Sequence, residues 1–265
     1  MGQAILGGIL RNQVLNPENV SIFDADPIKM QTVAADWKVT AKTCNADAVK
    51  GADAVLIAVK PQYLSGVLSE LKGKIDPDSF VISIVAGVPI ANFQEGLNHP
   101  TIVRVMPNTP AQIGEGVSGW IATPDLTKDQ RTLAEAILSG TGHTYELKNE
   151  SQLDQITAVS GSGPAYVFLF IEAMIDTAVH IGLPRAQAEE MVIQTVEGSV
   201  KYLESRKTHP AVLRNEVTSP GGTTAEAIYE FEKHGFRDAI ASGMWACYDR
   251  TVALGKNLPR QGHKG

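Results

Sequence analysis

Short apolar runs alternate with amphipathic stretches through residues 1–150. Residues 54–59 and 80–85 are almost wholly apolar, and residues 101–105 form a weaker third run. Runs of this length without polar alternation are typical of strands buried on both faces of a parallel sheet. Stretches with helical periodicity separate them at residues 63–71 and 89–97. The alternation predicts βαβ units and a mainly parallel sheet.

Other elements follow from the same pattern. Helices are predicted at residues 2–12, 27–37 and 127–138, and shorter strands at residues 20–23, 117–122 and 143–147. Beyond residue 150 the strand runs stop, and helices are predicted at residues 165–181, 184–206, 210–217, 225–233 and 236–254, with a polar tail at residues 257–265. We therefore expect a doubly wound α/β domain over residues 1–150 and an all-α domain over residues 151–265.

The predicted helix at residues 165–181 is apolar on nearly every side. Such a helix is expected to be buried, as the centre of the helical domain. The two serines and two glycines of residues 160–163, followed by Pro164, predict a tight loop that leads into it. Free backbone amides at the start of a helix suit a carboxylate or a phosphate. The loop is therefore a candidate anion-binding segment.

Three polar residues of the same helix, Glu172, Asp176 and His180, recur every four positions and so share one face. A metal site on this face is conceivable. A polar seam in a mostly buried helix is the preferred interpretation, because no cysteine–histidine cluster supports a metal site elsewhere in the sequence. We expect no bound metal.

Charge and cysteine usage narrow the classes of partner. The net charge is −6 and no basic block stands out, which argues against nucleic acid and anionic membranes as partners. Cys44 and Cys247 match no metal or redox spacing, so a reduced, cytoplasmic chain is the simplest interpretation. No apolar run approaches the ~20 residues of a membrane span, and the first residues lack the features of a secretory signal.

Polar residues follow three of the predicted strands. The carboxyl ends of strands border the ligand crevice in open α/β sheets. Lys60 and Asn108 each stand at such an end. Lys60 is either a ligand-binding residue or a loop lysine in water, and Asn108 is either a ligand-binding residue or a turn former. Asp24 ends another strand, where an acid binds a ribose 2′-hydroxyl, unless it is a plain surface acid. Asn45 is compatible with the role of an ordinary helix N-cap.

Four motifs occur in a fixed order: Ala-Val-Lys-Pro-Gln at residues 58–62, Val-Met-Pro-Asn-Thr-Pro at 105–110, Ser-Gly-Ser-Gly-Pro-Ala-Tyr at 160–166 and Ser-Pro-Gly-Gly-Thr-Thr at 219–224. Each motif alone is weak, but the four in register are specific. Together they resemble pyrroline-5-carboxylate reductases over nearly the whole chain. The resemblance implies an N-terminal Rossmann domain and a helical C-terminal domain that forms a homodimer, with decamers possible. It also implies reduction of 1-pyrroline-5-carboxylate to L-proline by NADPH or NADH, the last step of proline biosynthesis.

The resemblance further implies which residues form the site. Those expected at the cofactor are Gly2, Asp24, Asn45, Ala58, Val59, Lys60, Pro61, Ile84, Val85, Ala86 and Asn108. Those expected at the substrate are Ser162, Gly163, Gly221, Gly222, Thr223 and Thr224. In this set the backbone of residues 221–223 forms an anion nest for the carboxylate, and the catalytic Thr224 hydrogen-bonds the ring nitrogen. Without the resemblance, the same residues favour a simple helix start with a threonine cap.

The chain departs from that family at its beginning. It opens on a helix, without the first strand and the first two glycines of a G-x-G-x-x-G turn, roughly ten residues in all. Gly2 matches the third glycine, which allows close packing of helix and strand. We expect two neighbouring strands to lack a pairing partner. Our hypothesis is that an internal methionine was taken as the start; the alternative is a natural truncation.

A second departure concerns the cofactor's phosphate. Many family members carry a basic residue beside the acid, whereas Asp24 is followed by Ala25 and Asp26. This weakens the case for NADPH over NADH, although Lys29 or Lys42 could reach a phosphate. Two other functions stay open at this point. One is a related imine or keto-acid reductase, and the other is a non-catalytic partner subunit that lacks the dinucleotide turn.

Overall fold

The computed structural model describes residues 1–255 and divides into two compact units. Of the described residues, unit 1 contains Met1–Ser162 and residues 247–255, and unit 2 is Gly163–Ala246. The domain boundary near residue 150 stays a prediction. The polar tail predicted at residues 257–265 lies outside the described residues.

Unit 1 is built on two β-sheets. A short parallel sheet pairs β1 (Ser21–Ile22) with β2 (Thr40–Ala41). The second sheet contains, in spatial order, β3 (Ala54–Ile57), β4 (Phe80–Ser83), β5 (Ile102–Met106), β6 (Gly116–Ala122) and β7 (Gly142–Glu146). Its neighbouring strands are parallel except for the antiparallel pair β5–β6.

Helices cover both faces of the larger sheet. The helices of unit 1 up to Ser162 are α1 (Gly2–Arg11), α2 (Pro27–Trp37), α3 (Asn45–Ala48), α4 (Leu64–Leu71), α5 (Ile90–Leu97), α6 (Lys128–Ser139) and α7 (Ser151–Ile156). Phe80 and Ile82 of β4 pack with α1 and α6, whereas Val81, between them, packs with α4 and α5. Because alternate residues of a buried strand point to opposite faces, a continuous apolar run is needed here. The predicted doubly wound α/β fold is confirmed.

Side-chain caps explain why two of these helices begin where they do. The Asp26 carboxylate accepts hydrogen bonds from the Ile28 and Lys29 amides, and Pro27 occupies the first position of α2. Thr127 and Gln130 form a capping box at the start of α6. Both starts agree with the sequence prediction to within one residue.

The two sheets of unit 1 are not joined by strand pairing. Within residues 1–255, β1 pairs only with β2, and β3 pairs only with β4. Along β3, Ala54 and Leu56 are half-buried whereas Val55 and Ile57 are buried, so one face of this strand is less covered than the other. Helix α1 bridges the sheets, since Leu10 packs against the cores of both. The divided sheet agrees with the expectation that two strands lack a partner.

Unit 2 is helical. It contains α8 (Gly163–Ile181), α9 (Arg185–Arg206), α10 (Pro210–Glu216), α11 (Thr223–Lys233) and the first part of α12 (Phe236–Gly255). Its fully buried hydrophobic residues among those described are Ala188 and Val192 of α9. Phe236 packs against Phe170 and Phe231, with ring centroids 6.4 and 5.8 Å apart.

The expectation that α8 is a buried central helix is wrong for the single chain. None of its residues is buried, and Phe168 and Leu169 are 62% and 67% exposed. The few helices of unit 2 cannot cover a helix that is apolar on most sides. The polar seam is exposed too, with Asp176 paired to Arg185 at 2.9 Å. A large apolar surface therefore stays open, which is typical of an interaction surface.

The helical stretch Ser151–Ile181 is 31 residues long and, by length and composition alone, could cross a membrane. The expectation that no apolar run approaches the ~20 residues of a membrane span is therefore wrong, because α7 and the turn after it continue into the apolar α8. An apolar helix that is covered by a partner subunit passes the same test. Length and composition thus do not decide between a membrane and a protein partner.

Candidate functional site

Three loops of unit 1 leave the larger sheet at one edge. They follow β3, β4 and β5, which are parallel neighbours, so their carboxyl ends lie side by side. Ligands of open α/β sheets bind outside this edge. The loops contain most of the residues expected at the cofactor.

The loop after β3 lies beside the start of α1. Ala58 and Lys60 are exposed, and Pro61 begins a single 3₁₀ turn, Pro61–Tyr63. A Cβ on Gly2 would stand 3.0 Å from the Cβ of Ala58, closer than nearly all real contacts. The first amides of a helix have no partner within it. Gly2 therefore brings open backbone donors next to the loop at residues 58–61.

The loop after β4 is anchored at both ends. The Ile84 amide donates to the Ile57 carbonyl at 3.2 Å, and the Val85 amide donates to Ser83 Oγ at 3.2 Å. Gly87 has a φ of +73°, which favours glycine, and a Cβ there would lie 3.4 Å from Leu254 Cβ of α12. Val85 is buried, whereas the neighbouring Ala86 is exposed and faces solvent.

Asn108 follows β5 and is buried, with its Oδ1 accepting a hydrogen bond from the Val117 amide at 2.8 Å. It also precedes the 3₁₀ turn Thr109–Ile113. The side-chain oxygen thus connects the end of β5 to β6. This geometry is that of the turn-former alternative, and a role at the cofactor stays a prediction.

Asp24 lies two residues beyond β1, in contact with a cation. Its carboxylate accepts from Lys29 Nζ at 2.5 Å and from the Asp26 amide at 3.0 Å. Burial by itself would raise the pKa of Asp24, but these hydrogen bonds and the Lys29 charge together lower it. The acid is therefore charged and paired, with the ammonium beside the position expected to meet the ribose.

Asn45 is the first residue of α3 and not its N-cap, which is Cys44, so the N-cap interpretation is wrong. Its Nδ2 donates to Glu70 Oε2 at 2.7 Å, and the Ala46 amide donates to the same carboxylate at 3.3 Å. The hydrogen bond from Asn45 is the main reason that the pKa of Glu70 is lowered. The Glu70 carboxylate, from α4, satisfies this helix start instead.

The serine–glycine segment before α8 is not a tight loop, so that expectation is wrong. A π-helical turn, Thr157–Gly161, connects α7 to α8, and the Ser162 amide donates to the Thr157 carbonyl at 2.8 Å. Ser162 Oγ lies 3.2 Å from Cys247 Sγ. The Ser162 amide, which was expected to be free for an anion, is thus already bonded within the preceding turn. Gly163 begins α8, and π turns within helices are frequent at functional sites.

The glycine pair before α11 forms a turn with open donors. Gly221 has a φ of +68°, and the Gly222 amide donates to the Ser219 carbonyl at 3.0 Å. Gly222 is the N-cap, so the threonine-cap alternative is wrong, and Thr223 and Thr224 are the first helical residues. First-turn amides have no acceptor within the helix, which makes this turn suitable for an anion.

Sequence reasoning missed one charged group in the sheet whose strand-end loops form the candidate cofactor site. Arg104 of β5 is buried, and its Nη1 lies 2.5 Å from Glu150 Oε1. The same oxygen accepts from the Ile90 amide at 2.8 Å. Asp154, one turn further along, is half-buried, and burial raises its pKa; the Arg104 charge opposes this shift and the Glu150 charge adds to it. An arginine within an apolar strand was the available signal.

Comparison with known proteins covers both parts of the chain. A family model for pyrroline-5-carboxylate reductase dimerisation matches residues 150–254, and one for coenzyme F420-dependent NADP oxidoreductase matches residues 1–87. A pyrroline-5-carboxylate reductase of Synechocystis is 39% identical over 256 residues, 97% of this chain and 95% of that protein. The one of Escherichia coli is 36% identical over 97% of this chain and 96% of its own length.

Solved structures give the same match. A pyrroline-5-carboxylate reductase of Coxiella burnetii superposes with a TM-score of 0.87 at 33% identity, covering 96% of this chain and 94% of that one. A pyrroline carboxylate reductase of Plasmodium falciparum with NADP bound has a TM-score of 0.87 at 32% identity and the same coverage.

A Rossmann-type α/β part with loops at the carboxyl edge of its sheet, followed by a helical dimerisation part, defines a two-part oxidoreductase fold. Fold alone does not decide which reaction such a protein performs. The identity over nearly the whole chain does decide the family, and this chain belongs to the pyrroline-5-carboxylate reductases.

Proposed function

We propose that this chain reduces 1-pyrroline-5-carboxylate to L-proline with a nicotinamide dinucleotide as hydride donor. The observation that carries the proposal is family membership over both parts of the chain, from the strand-end loops to the glycine turn before α11. The alternative function, that of another imine or keto-acid reductase, is not favoured, because the relatives reported above are named pyrroline-5-carboxylate reductases.

The strand-end loops of unit 1 fit a dinucleotide. Ala58, Val59, Lys60 and Pro61 follow β3, and Ile84, Val85 and Ala86 follow β4, so both segments border the edge where such cofactors bind. Gly2 lies so close to Ala58 that a side chain at position 2 would be crowded, and only backbone donors are presented at the start of α1. A helix start of this kind suits a pyrophosphate. Bound NAD(P)H would supply the hydride.

We favour NADPH, with NADH possible. Asp24 stands where an acid would accept from a ribose 2′-hydroxyl, but Lys29 already neutralises it at 2.5 Å. The exposed ammonium can move from the carboxylate to a 2′-phosphate, since an exposed ion pair contributes little to stability. This pair of residues therefore accommodates either cofactor.

The turn before α11 fits the substrate carboxylate. The Ser219 carbonyl already uses the Gly222 amide of the expected nest, so the first-turn amides of Thr223 and Thr224 are the donors that remain for the carboxylate. Thr224 is half-buried, and its hydroxyl would form a hydrogen bond with the ring nitrogen. Ser162 and Gly163 are further substrate candidates at the start of α8.

The reaction asks for binding and orientation more than for acid–base groups. A protonated cyclic imine accepts a hydride directly at the carbon of its C=N bond, and the π electrons of that bond then become the lone pair of the amine. The residues of this chain contribute by fixing the carboxylate and the ring, which is catalysis by proximity. No strong acid–base pair is required.

We also propose a homodimer in the cytoplasm, formed through the exposed apolar surface of α8. Phe168, Leu169 and Val167 are open in the single chain, and they lie within the residues matched by the dimerisation model. Whether dimers assemble further, for example into decamers, is left to measurement. The partner is thus a second copy, and the ligand is a small anionic imine.

One assay tests the function. NAD(P)H oxidation is followed with 1-pyrroline-5-carboxylate, and proline is identified as the product. The assay is run on this chain and on a version in which a strand and a Gly-x-Gly turn precede Gly2. Turnover by either version supports the reductase. Absence of turnover by both, with a folded dimer, favours the non-catalytic subunit.

A further inference from the structure

Arg104 places a positive charge inside unit 1, where a lone charge would be costly. Its side chain is on the same face of β5 as Ile102, and it is only 9% exposed. Glu150, which precedes α7, supplies the partner, with Nη1 and Oε1 2.5 Å apart. Such pairs are retained when the geometry is good and the remaining polar atoms are satisfied.

The same carboxylate oxygen holds a second element. Glu150 Oε1 accepts a hydrogen bond from the Ile90 amide at 2.8 Å, and Ile90 is the first residue of α5. A carboxylate at this end of a helix is also favoured by the helix dipole. Glu150 thus connects β5 and the start of α5 through one atom.

The segment between β4 and α5, residues 84–89, is the loop that contains Ile84, Val85 and Ala86. Its first part is held by Ser83, which pairs in register with Arg104 and accepts from the Val85 amide. Its middle lies near Leu254 of α12, since a Cβ on Gly87 would stand 3.4 Å from Leu254 Cβ. Its last part ends at Ile90, where Glu150 is the anchoring side chain.

We propose that Glu150 is a positioning residue for the nicotinamide cofactor, acting by fixing the end of the loop at residues 84–89. The inference rests on the proposed function, which assigns this loop to the cofactor. Glu150 itself does not touch the cofactor in this scheme. Its loss widens the positions that the loop can take, so cofactor binding weakens because the loop must be ordered on binding.

Two substitutions separate the roles of the carboxylate. Glu150→Ala removes the acceptor, whereas Glu150→Gln keeps an acceptor for Ile90 and loses the charge that faces Arg104. Asp154 remains near Arg104 in both variants, so the buried charge keeps an acidic neighbour. The control is Glu146→Gln, which breaks the more exposed Arg131–Glu146 pair of the same unit.

The dissociation constant of NADPH is measured from the fluorescence of the bound dihydronicotinamide, together with KM and kcat. We expect Glu150→Ala to raise the NADPH dissociation constant and KM about tenfold, with kcat at saturation within about threefold of the parent. Glu150→Gln should recover most of the affinity, and Glu146→Gln should match the parent. Hydrogen exchange of the Ile90 amide should be faster than in the parent only in Glu150→Ala, because only that variant lacks an acceptor for this amide.

The opposite results overturn the inference. They are parent-like NADPH affinity in Glu150→Ala, failure of Glu150→Gln to recover it, or unchanged exchange at Ile90. Failure of the proposed function has a different signature: the parent binds NADPH but does not reduce 1-pyrroline-5-carboxylate. Both are overturned if neither the parent nor the version with the added strand and Gly-x-Gly turn binds NADPH.

Discussion

Gly2 and Ala58 approach so closely that a Cβ on residue 2 would stand 3.0 Å from the Cβ of Ala58. This contact joins the start of α1 to the loop after β3. Ala58 is exposed, so the contact lies at the surface where the strand-end loops meet solvent. A small residue at position 2 therefore affects the candidate cofactor site directly.

We expect Gly2→Val to weaken NADPH binding and to lower the free energy of unfolding by roughly 1–3 kcal/mol, because an inserted side chain must displace Ala58 or α1. Binding is followed by titration and stability by urea denaturation. Gly66→Ala is the control, since nothing lies within 4 Å of a Cβ at that glycine. Normal cofactor affinity in Gly2→Val would remove residue 2 from the site.

Thr224 is predicted to contact the ring nitrogen of the substrate. Thr224→Ala should lower kcat/KM roughly ten- to hundredfold, the effect of losing a hydrogen bond to a charged or buried group. NADPH affinity should not change. Thr218→Ala is the control, because the Thr218 hydroxyl donates to the Arg214 carbonyl, outside the glycine turn. Unchanged turnover in Thr224→Ala would exclude Thr224 from the mechanism.

The boundaries of most elements could be predicted because their signals are local. Helix α2 was predicted over its full length, since Asp26 and Pro27 mark its start. Strand β2 was missed, because two residues cannot show a period. The π-helical turn at Thr157–Gly161 was missed because its glycine and serines favour a loop, and only packing of the flanking helices overrides that preference.

The candidate site was predictable only in part, for a related reason. Backbone position follows from strand ends, so the loops after β3, β4 and β5 were found. The hydrogen-bond partners of the side chains could not be predicted, because Asn45 pairs with Glu70 and Asn108 with the Val117 amide through tertiary contacts. Arg104 and Glu150 are far apart in sequence, and no local pattern connects them.

Asp154 should make stability depend on pH. Burial raises its pKa in the folded state, so the folded chain holds the proton more tightly than the unfolded chain. The stability that this group contributes is complete below its ordinary pKa of about 3.9 and is lost as the pH rises through the raised value. Asp154→Asn should therefore have a higher Tm than the parent at neutral pH.

The difference in Tm between Asp154→Asn and the parent should vanish in acid, below about pH 3.9, where the aspartate is protonated in both states. Thermal unfolding is measured across the pH range. Asp36→Asn, at an exposed position, serves as the control and should show no such convergence. An equal or lower Tm for Asp154→Asn at neutral pH would contradict the assignment.

Lys29 is predicted to influence cofactor preference. Removing it leaves Asp24 as an unpaired acid, which repels a 2′-phosphate and still accepts from a 2′-hydroxyl. Lys29→Ala should therefore shift the ratio of kcat/KM values from NADPH towards NADH by several-fold, about the effect of one exposed charge. Steady-state kinetics with both cofactors measure the ratio, and Lys50→Ala is the control. A ratio equal to that of the parent would place the phosphate elsewhere.

The exposed apolar surface of α8 is predicted to be the dimer contact. Leu169 is 67% exposed in the single chain, and a glutamate there would place a charge in an interface that excludes water. Leu169→Glu should shift the mass measured by light scattering from a dimer or larger to a monomer. Tyr145→Glu is the matched control, because Tyr145 is an exposed aromatic residue outside the residues matched by the dimerisation model, and it should keep the parent's mass. A monomeric parent would exclude the proposed dimer, and an unchanged mass in Leu169→Glu would show that the dimer forms through another surface. Loss of helix content would instead show that the substitution unfolds unit 2, so circular dichroism accompanies the measurement.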